Sequence, residues 1–176
     1  YRGFKPVLWS TVEKTALADA EVEYQDHKSD TIYASFPVKS SNIKELNDSE
    51  IVIWTTTPWT IPANKALAYN QSLEYLLIEV NDDGDFKNKK IVIADALIDS
   101  VVKDNKIQNF KKLKNFKGKD LKGTICNHPF LKLGYEYDIP MLEAHFVTTE
   151  QGTGIVHCAP SHGPDDFNLC MNNGIK

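Results

Sequence analysis

The chain has little that would tie it to a membrane, a disulfide scaffold or a phosphate-binding loop. No window approaches the roughly 18 consecutive apolar residues of a membrane span, and no signal-peptide pattern is visible. Only three cysteines occur in 176 residues, Cys126, Cys158 and Cys170. They cannot all pair with one another, which points to a reduced, intracellular setting. There is a single arginine, Arg2, so lysine is the chain's working cation. Internal repeats and low-complexity tracts are missing. An initiator methionine is missing too: Tyr1-Arg2-Gly3-Phe4 at one end and Gly174-Ile175-Lys176 at the other read as the cut edges of a longer protein.

What is present is ordinary for a soluble domain: 41% hydrophobic residues, 25% charged residues and a formal net charge of −4. A chain of this length makes about one domain with a sizeable core. The negative balance argues against a surface that binds nucleic acid throughout, and it leaves room for a local basic patch. Such a patch is visible between Lys103 and Lys122, where eight lysines face only Asp104 and Asp120. Two readings stand there, a solvated face or a non-specific contact with phosphates.

Strand patterns dominate. Thr31 to Lys39 alternates, with Ile32, Ala34, Phe36 and Val38 on one face, and Glu21 to Tyr24 alternates as well. Residues 50–55, 73–80, 90–94, 123–127, 141–148 and 154–158 are apolar or β-branched in strand fashion. Helical signals are fewer: a short turn at 16–21, a candidate at 95–103, and a clear start after Gly163. There Pro164 suits the first helical position, Asp165 and Asp166 suit the first turn, and Asn173-Gly174 suits the stop. Many strands and few helices predict a β-barrel or sandwich decorated by short helices.

Two stretches carry chemistry. In WTTTPWTIPAN, residues 54–64, a buried strand runs into hydroxyls held between Pro58 and Pro62. Alternation puts Thr55 and Thr57 on one side and Thr56 on the other, and each proline fixes its own φ and biases the residue before it. Such a loop holds a water, a sugar hydroxyl or a carbonyl in fixed geometry, or it is simply a threonine-rich strand ending in a proline turn. In GTGIVHCAPSHGPDDF, residues 152–167, Gly152 and Gly154 permit a close approach or a bulge. A short strand through His157 and Cys158 then leads to the helix start. The helix N-terminus favours ionised carboxylates there, predicting a lowered pKa and a place to capture an ammonium group. For Asp165, complementing the helix dipole is the better reading.

Sharper chemistries fit less well. A phosphate loop lacks its third glycine and precedes a strand instead of a helix. A zinc site drawn from Cys126, His128, His157, Cys158 and His162 has no standard pair spacing, and His157 and Cys158 point to opposite faces. The same opposition weakens a Cys–His nucleophile pair, and nothing local activates Cys126 or Cys170.

Together the two stretches resemble the paired motifs of the editing domain inserted in isoleucyl-tRNA synthetases. Residues 5–24 (KPVLWS…TALADAEVEY) look like the incoming strand of that insertion, and Asn127-His128-Pro129-Phe130 matches a further family segment. Leucyl- and valyl-type editing domains are similar but carry an arginine where Thr57 stands and an acid where Trp59 stands. The SHGPDD form looks bacterial or organellar. The resemblance covers residues 1–176 as a single editing domain of a longer synthetase. It implies a β-rich fold, a closed β-barrel with flanking short α-helices, and a cytoplasmic location.

The implied activity is hydrolysis of the ester between valine and the terminal adenosine of isoleucine tRNA, with isoleucine excluded by size. The alternative is a catalytically silent insertion that only positions the tRNA acceptor end. Residue by residue, the resemblance implies that Asp166 holds the α-ammonium group and His157 walls the side-chain pocket. Thr55, Thr56 and Thr57 surround the scissile ester and its water, and Thr60 governs amino-acid size. Trp59 and Asn64 stand near the adenosine or support the loop. No metal, cofactor or covalent nucleophile is implied. The implied partners are the 3′ end of charged isoleucine tRNA, its valine moiety, and the catalytic and tRNA-binding parts of the parent synthetase, whose HIGH-type and KMSKS-type signatures this chain lacks. Cys158 and Ser161 depart from the usual threonine or glutamine and the usual glycine.

Overall fold

The computed structural model describes residues 3–175, so Arg2 lies outside the described residues. A small antiparallel ribbon, β1 (Trp9–Ser10) with β2 (Thr15–Ala16), stands apart in the N-terminal segment. The expected strand at 21–24 does not form; Asp19–Glu21 is one 3-10 turn followed by irregular chain.

The body is one mixed sheet. Its strands in chain order are β3 (Ile32–Ser40), β4 (Ser49–Thr55), β5 (Ala66–Tyr69), β6 (Glu74–Val80), β7 (Lys90–Ala94), β8 (Phe110–Lys117), β9 (Ile125–Asn127), β10 (Asp138–Glu143) and β11 (Ile155–Cys158). Laterally they run β11-β5-β10-β9-β3-β4-β7-β6-β8. Neighbours are antiparallel except β4–β7 and β5–β10, which are parallel. Two helices attend it, α1 (Ile98–Asp104) and α2 (Pro164–Asn172). Among the described residues no helix is long and apolar enough to cross a membrane.

The expected closed barrel is therefore wrong. The sheet has two free edges, β11 and β8, that do not pair with each other. It curls instead, bringing β11 across β4. The segment leading into β11 meets β7 and β6 through isolated bonds and not a ladder: the Ala94 amide donates to the Thr153 carbonyl at 2.8 Å, and the Tyr75 hydroxyl donates to the Gly154 carbonyl at 2.8 Å. On the other side, β8 turns Lys111, Lys112 and Lys117 to solvent, a charged edge that discourages further strand pairing.

The central strands explain their own sequence runs. Ile51 and Ile53 of β4 join Phe36, Tyr75, Leu77 and Val92 in one core, while Val52 joins Leu76, Ile78, Ile91 and Ile93 on the opposite face beneath α1. Burial on both faces is why these segments are continuously apolar and do not alternate. Each fully buried Leu or Ile contributes about 1.5–3 kcal/mol.

Gly154 fixes where the curled sheet meets itself. Its φ is +74°, and a Cβ there would lie 2.4 Å from the Ala94 Cβ. Gly154→Ala is expected to destabilise the fold by about 1–3 kcal/mol, through left-handed strain and overpacking together. A lowered denaturant midpoint at unchanged slope checks this.

Candidate functional site

The threonine-rich stretch leaves β4 at Thr55 and at once becomes a 3-10 helix, Pro58–Ala63, with Pro58 at its first position. Local bonds set its shape. The Thr57 amide donates to the Thr55 hydroxyl oxygen at 3.1 Å, and the two hydroxyls lie 3.2 Å apart. Thr56, between them in the chain, is exposed. From outside, His128 braces the helix: its Nε2–H donates to the Ile61 carbonyl at 3.0 Å, while its Nδ1 accepts the Phe130 amide at 3.0 Å. The Asn127–Phe130 segment is thus a support of the loop.

Facing this helix is β11. His157 projects inward from it and bonds Thr60 Oγ1 at 3.0 Å. The Thr60 hydroxyl also donates to the Thr57 carbonyl at 2.8 Å. With that proton used, Thr60 must accept from His157 Nε2–H, which leaves Nδ1 as a lone pair. Asn64 Nδ2 lies 3.4 Å from that Nδ1 and donates to the Ala66 carbonyl at 2.9 Å. A relay from Asn64 through His157 and Thr60 to the Thr57 carbonyl therefore fixes the imidazole tautomer. Burial, aided by the nearby His162, pushes the His157 pKa down to about 4. At neutral pH His157 is an uncharged wall.

Asp166 is the third residue of α2, and its Oδ2 accepts the Ala159 amide at 2.9 Å. The sequence predicts a lowered pKa at this helix start; the structure raises it. Burial is the largest cause and the Asp165 charge adds to it, outweighing the Ala159 amide. An ionised carboxylate in this partly desolvated place gains from a cationic partner.

Thr55, Thr56, Thr57, Trp59, Thr60, His157 and Asp166 all line one cavity of about 500 Å³, a size that suits a small molecule. Asn64 does not line it; fully buried, it stands behind His157. Its Oδ1 is the one buried side-chain polar atom without a partner among the described residues. Trp59 is 63% exposed at the rim. Sequence reasoning gave no role in it to Trp54, Phe146, Thr148, Gln151, Thr153 and His162, which line it together with Gly152, Gly154, Ile155 and Val156. The signal for part of that wall was present in Gly152 and Gly154, both with left-handed φ, which bend the 151–154 segment over the cavity.

Among the described residues no group of three side chains that could hold a metal ion comes together. All three cysteines are buried and free. Burial pushes the Cys126 thiol up to about 12 and Cys170 to about 11, so neither is a thiolate at neutral pH.

Comparison with known proteins gives this cavity a context. Residues 1–151 match the family of class I tRNA synthetases (I, L, M and V). The chain is 78% identical over 176 residues to the isoleucine–tRNA ligase of Pelagibacter ubique (strain HTCC1062), covering 100% of this chain and 19% of that protein. It is 47% identical over 182 residues to the isoleucine–tRNA ligase of Gluconobacter oxydans (strain 621H), again covering 100% of this chain and 19% of that protein. The chain thus spans about a fifth of the length of these relatives. Its fold is similar to the leucyl-tRNA synthetase editing domain of P. knowlesi, with a TM-score of 0.61 at 15% identity over 82% of this chain and 62% of that one. With most of its length inside the family match, the chain belongs to the class I tRNA synthetases of the I, L, M and V group.

Proposed function

We propose that the cavity is a proofreading site that hydrolyses the ester joining valine to the 3′-terminal adenosine of isoleucine tRNA. The observation that carries this is the convergence of Thr55, Thr56, Thr57, Thr60, His157 and Asp166 from two distant stretches on one cavity of about 500 Å³. The likeness to isoleucine–tRNA ligases supports the choice of tRNA. A synthetic site that must separate isoleucine from valine has only one methylene to use. That difference is worth about 1–3 kcal/mol, a limit for which isoleucyl-tRNA synthetases are themselves the standard illustration. A second site that admits valine and rejects isoleucine by size removes the errors.

In this reading the ionised Asp166 carboxylate holds the substrate's α-ammonium group, which fixes the ester relative to the threonines. The Thr55–Thr57 pair and the adjacent backbone position the attacking water and stabilise the oxyanion that forms as it adds to the carbonyl. The substrate's neighbouring ribose hydroxyl takes the water's proton while passing its own to the departing ester oxygen. Collapse of the tetrahedral adduct then releases valine and the tRNA hydroxyl. Neutral His157, clamped by Thr60 and Asn64, limits side-chain size. Trp59 at the rim meets the adenosine. The remaining parts of the parent synthetase deliver the tRNA end in the cytoplasm, and residues 1–176 act as its editing domain.

The test is deacylation of isoleucine tRNA carrying valine. Release of free valine at a rate well above the uncatalysed one supports the proposal. Binding of the charged tRNA without valine release would instead make this an insertion that only positions the acceptor end.

A further inference from the structure

A second groove lies at the other end of β4 from the cavity. Its volume is about 870 Å³, and Ile43 and Phe116, both largely buried, contribute to its lining. Lys44, Lys114, Lys119 and Lys122 line it, against Glu45 and Asp120. The lysines of β8 have a simpler account: they charge the sheet edge, and three of them already have carboxylates. Lys112 pairs with Asp95 at 3.8 Å, Lys114 with Glu45 at 2.7 Å and Lys117 with Glu74 at 3.9 Å. Edge protection does not explain Lys44, Lys119 and Lys122. None of them belongs to β8, all three are exposed, and none is in an ion pair among the described residues. Of the two acids, Glu45 is engaged by Lys114, and Asp120 accepts the Lys117 amide at 3.1 Å. The groove therefore carries three uncommitted cations in a chain whose net charge is −4.

We propose that Lys44, Lys119 and Lys122 form an anchoring groove for the phosphodiester backbone of the RNA whose 3′ end enters the cavity. This rests on the reading of the cavity as the site for a charged tRNA end. Lys44 lies five residues before β4, in the 3-10 turn Lys44–Leu46, whereas Thr55 ends β4 and Thr56 and Thr57 follow it. A seven-residue strand covers about 20 Å, a separation that a few nucleotides of RNA can span. Lysines placed this way contribute affinity and register without reading sequence.

The experiment measures binding of an uncharged RNA hairpin with a single-stranded 3′ end by fluorescence anisotropy, across a salt series. Replacing Lys44, Lys119 and Lys122 together by Gln is expected to weaken binding about tenfold at low salt. It should also reduce the slope of log Kd against log salt by about 3, one for each lost phosphate contact. The same charge change at Lys103, Lys106 and Lys111, outside the groove, is expected to alter affinity less than about twofold. In deacylation assays the groove variant should raise KM and keep kcat. Unchanged affinity and slope in the groove variant, an equal loss in the control variant, or no measurable RNA binding by the unaltered protein would overturn the proposal. Failure of the protein to release valine, with the groove variant still losing RNA affinity, would sink the cavity reading and leave the groove standing. Valine release with RNA affinity indifferent to the groove would do the reverse.

Discussion

Asp166→Asn is expected to lower kcat/KM for valyl-tRNA by roughly 30- to 1000-fold, equivalent to about 2–4 kcal/mol of lost transition-state stabilisation, and to leave the fold intact. The fold survives because an asparagine oxygen can still accept the Ala159 amide, the bond that Oδ2 makes at 2.9 Å. What disappears is the negative charge proposed to hold the ammonium group. Stability moves the other way. A carboxyl whose folded pKa lies above its unfolded value stabilises the fold fully below the unfolded pKa. That contribution is lost as pH rises through the raised folded value. Burial places Asp166 in this class, so at neutral pH its ionised form is a net cost, and the neutral asparagine is expected to raise the melting temperature by a few degrees. Activity has the opposite pH dependence. It is expected to require the ionised carboxylate and to fall as pH drops through the raised Asp166 pKa. A variant that loses stability and keeps activity would remove Asp166 from the site and return it to helix capping. Steady-state deacylation paired with thermal unfolding separates the two.

His157→Ala is expected to change what is hydrolysed more than how fast. The imidazole is held from both sides, by Thr60 at 3.0 Å and by Asn64 at 3.4 Å, so it cannot swing aside for a larger side chain. Removing it opens room for the extra methylene of isoleucine. The preference for valyl over isoleucyl ester is expected to shrink by about 10- to 200-fold, the whole worth of one methylene in an apolar pocket. Thr60→Val retains most of the volume and removes the hydroxyl, so the ring loses its Nε2 partner. Its expected effect is smaller and has the same sign. Competition between the two esters on one tRNA is the readout, and continued rejection of isoleucine by His157→Ala would rule out a steric wall.

How much of this was legible in the sequence follows from how local each feature is. β3, β4, β6, β7 and β11 announce themselves by alternation or by apolar runs, and α2 by Pro164 and its first-turn acids. β5 went unread because Ala66-Leu67-Ala68-Tyr69 is short and built on alanine, yet all four residues are buried. β8 went unread because its lysines conceal the apolar positions, and the register shift opposite Leu77 and Ile78 breaks the alternation at Leu113. Closure of a barrel depends on whether the last strands meet in register, and no local pattern encodes that. The threonine stretch and the SHGPDD stretch both contribute residues to one cavity, and their residue types were distinctive enough to be singled out as a pair. The direction of the Asp166 pKa was misread for a clear reason: the helix terminus is visible in sequence, and desolvation by the surrounding fold is not. Asn64 illustrates the same limit, since only the folded chain reveals that it acts on His157 from behind.

The most direct measurement is a crystal structure of the protein with a non-hydrolysable valyl-adenosine analogue, an amide in place of the ester. The account predicts the α-ammonium group within about 3 Å of the Asp166 carboxylate, the valine side chain against His157 and Thr60, and the amide carbonyl beside the Thr55–Thr57 hydroxyls. An analogue bound with its ammonium group away from Asp166, or outside the cavity altogether, would contradict it.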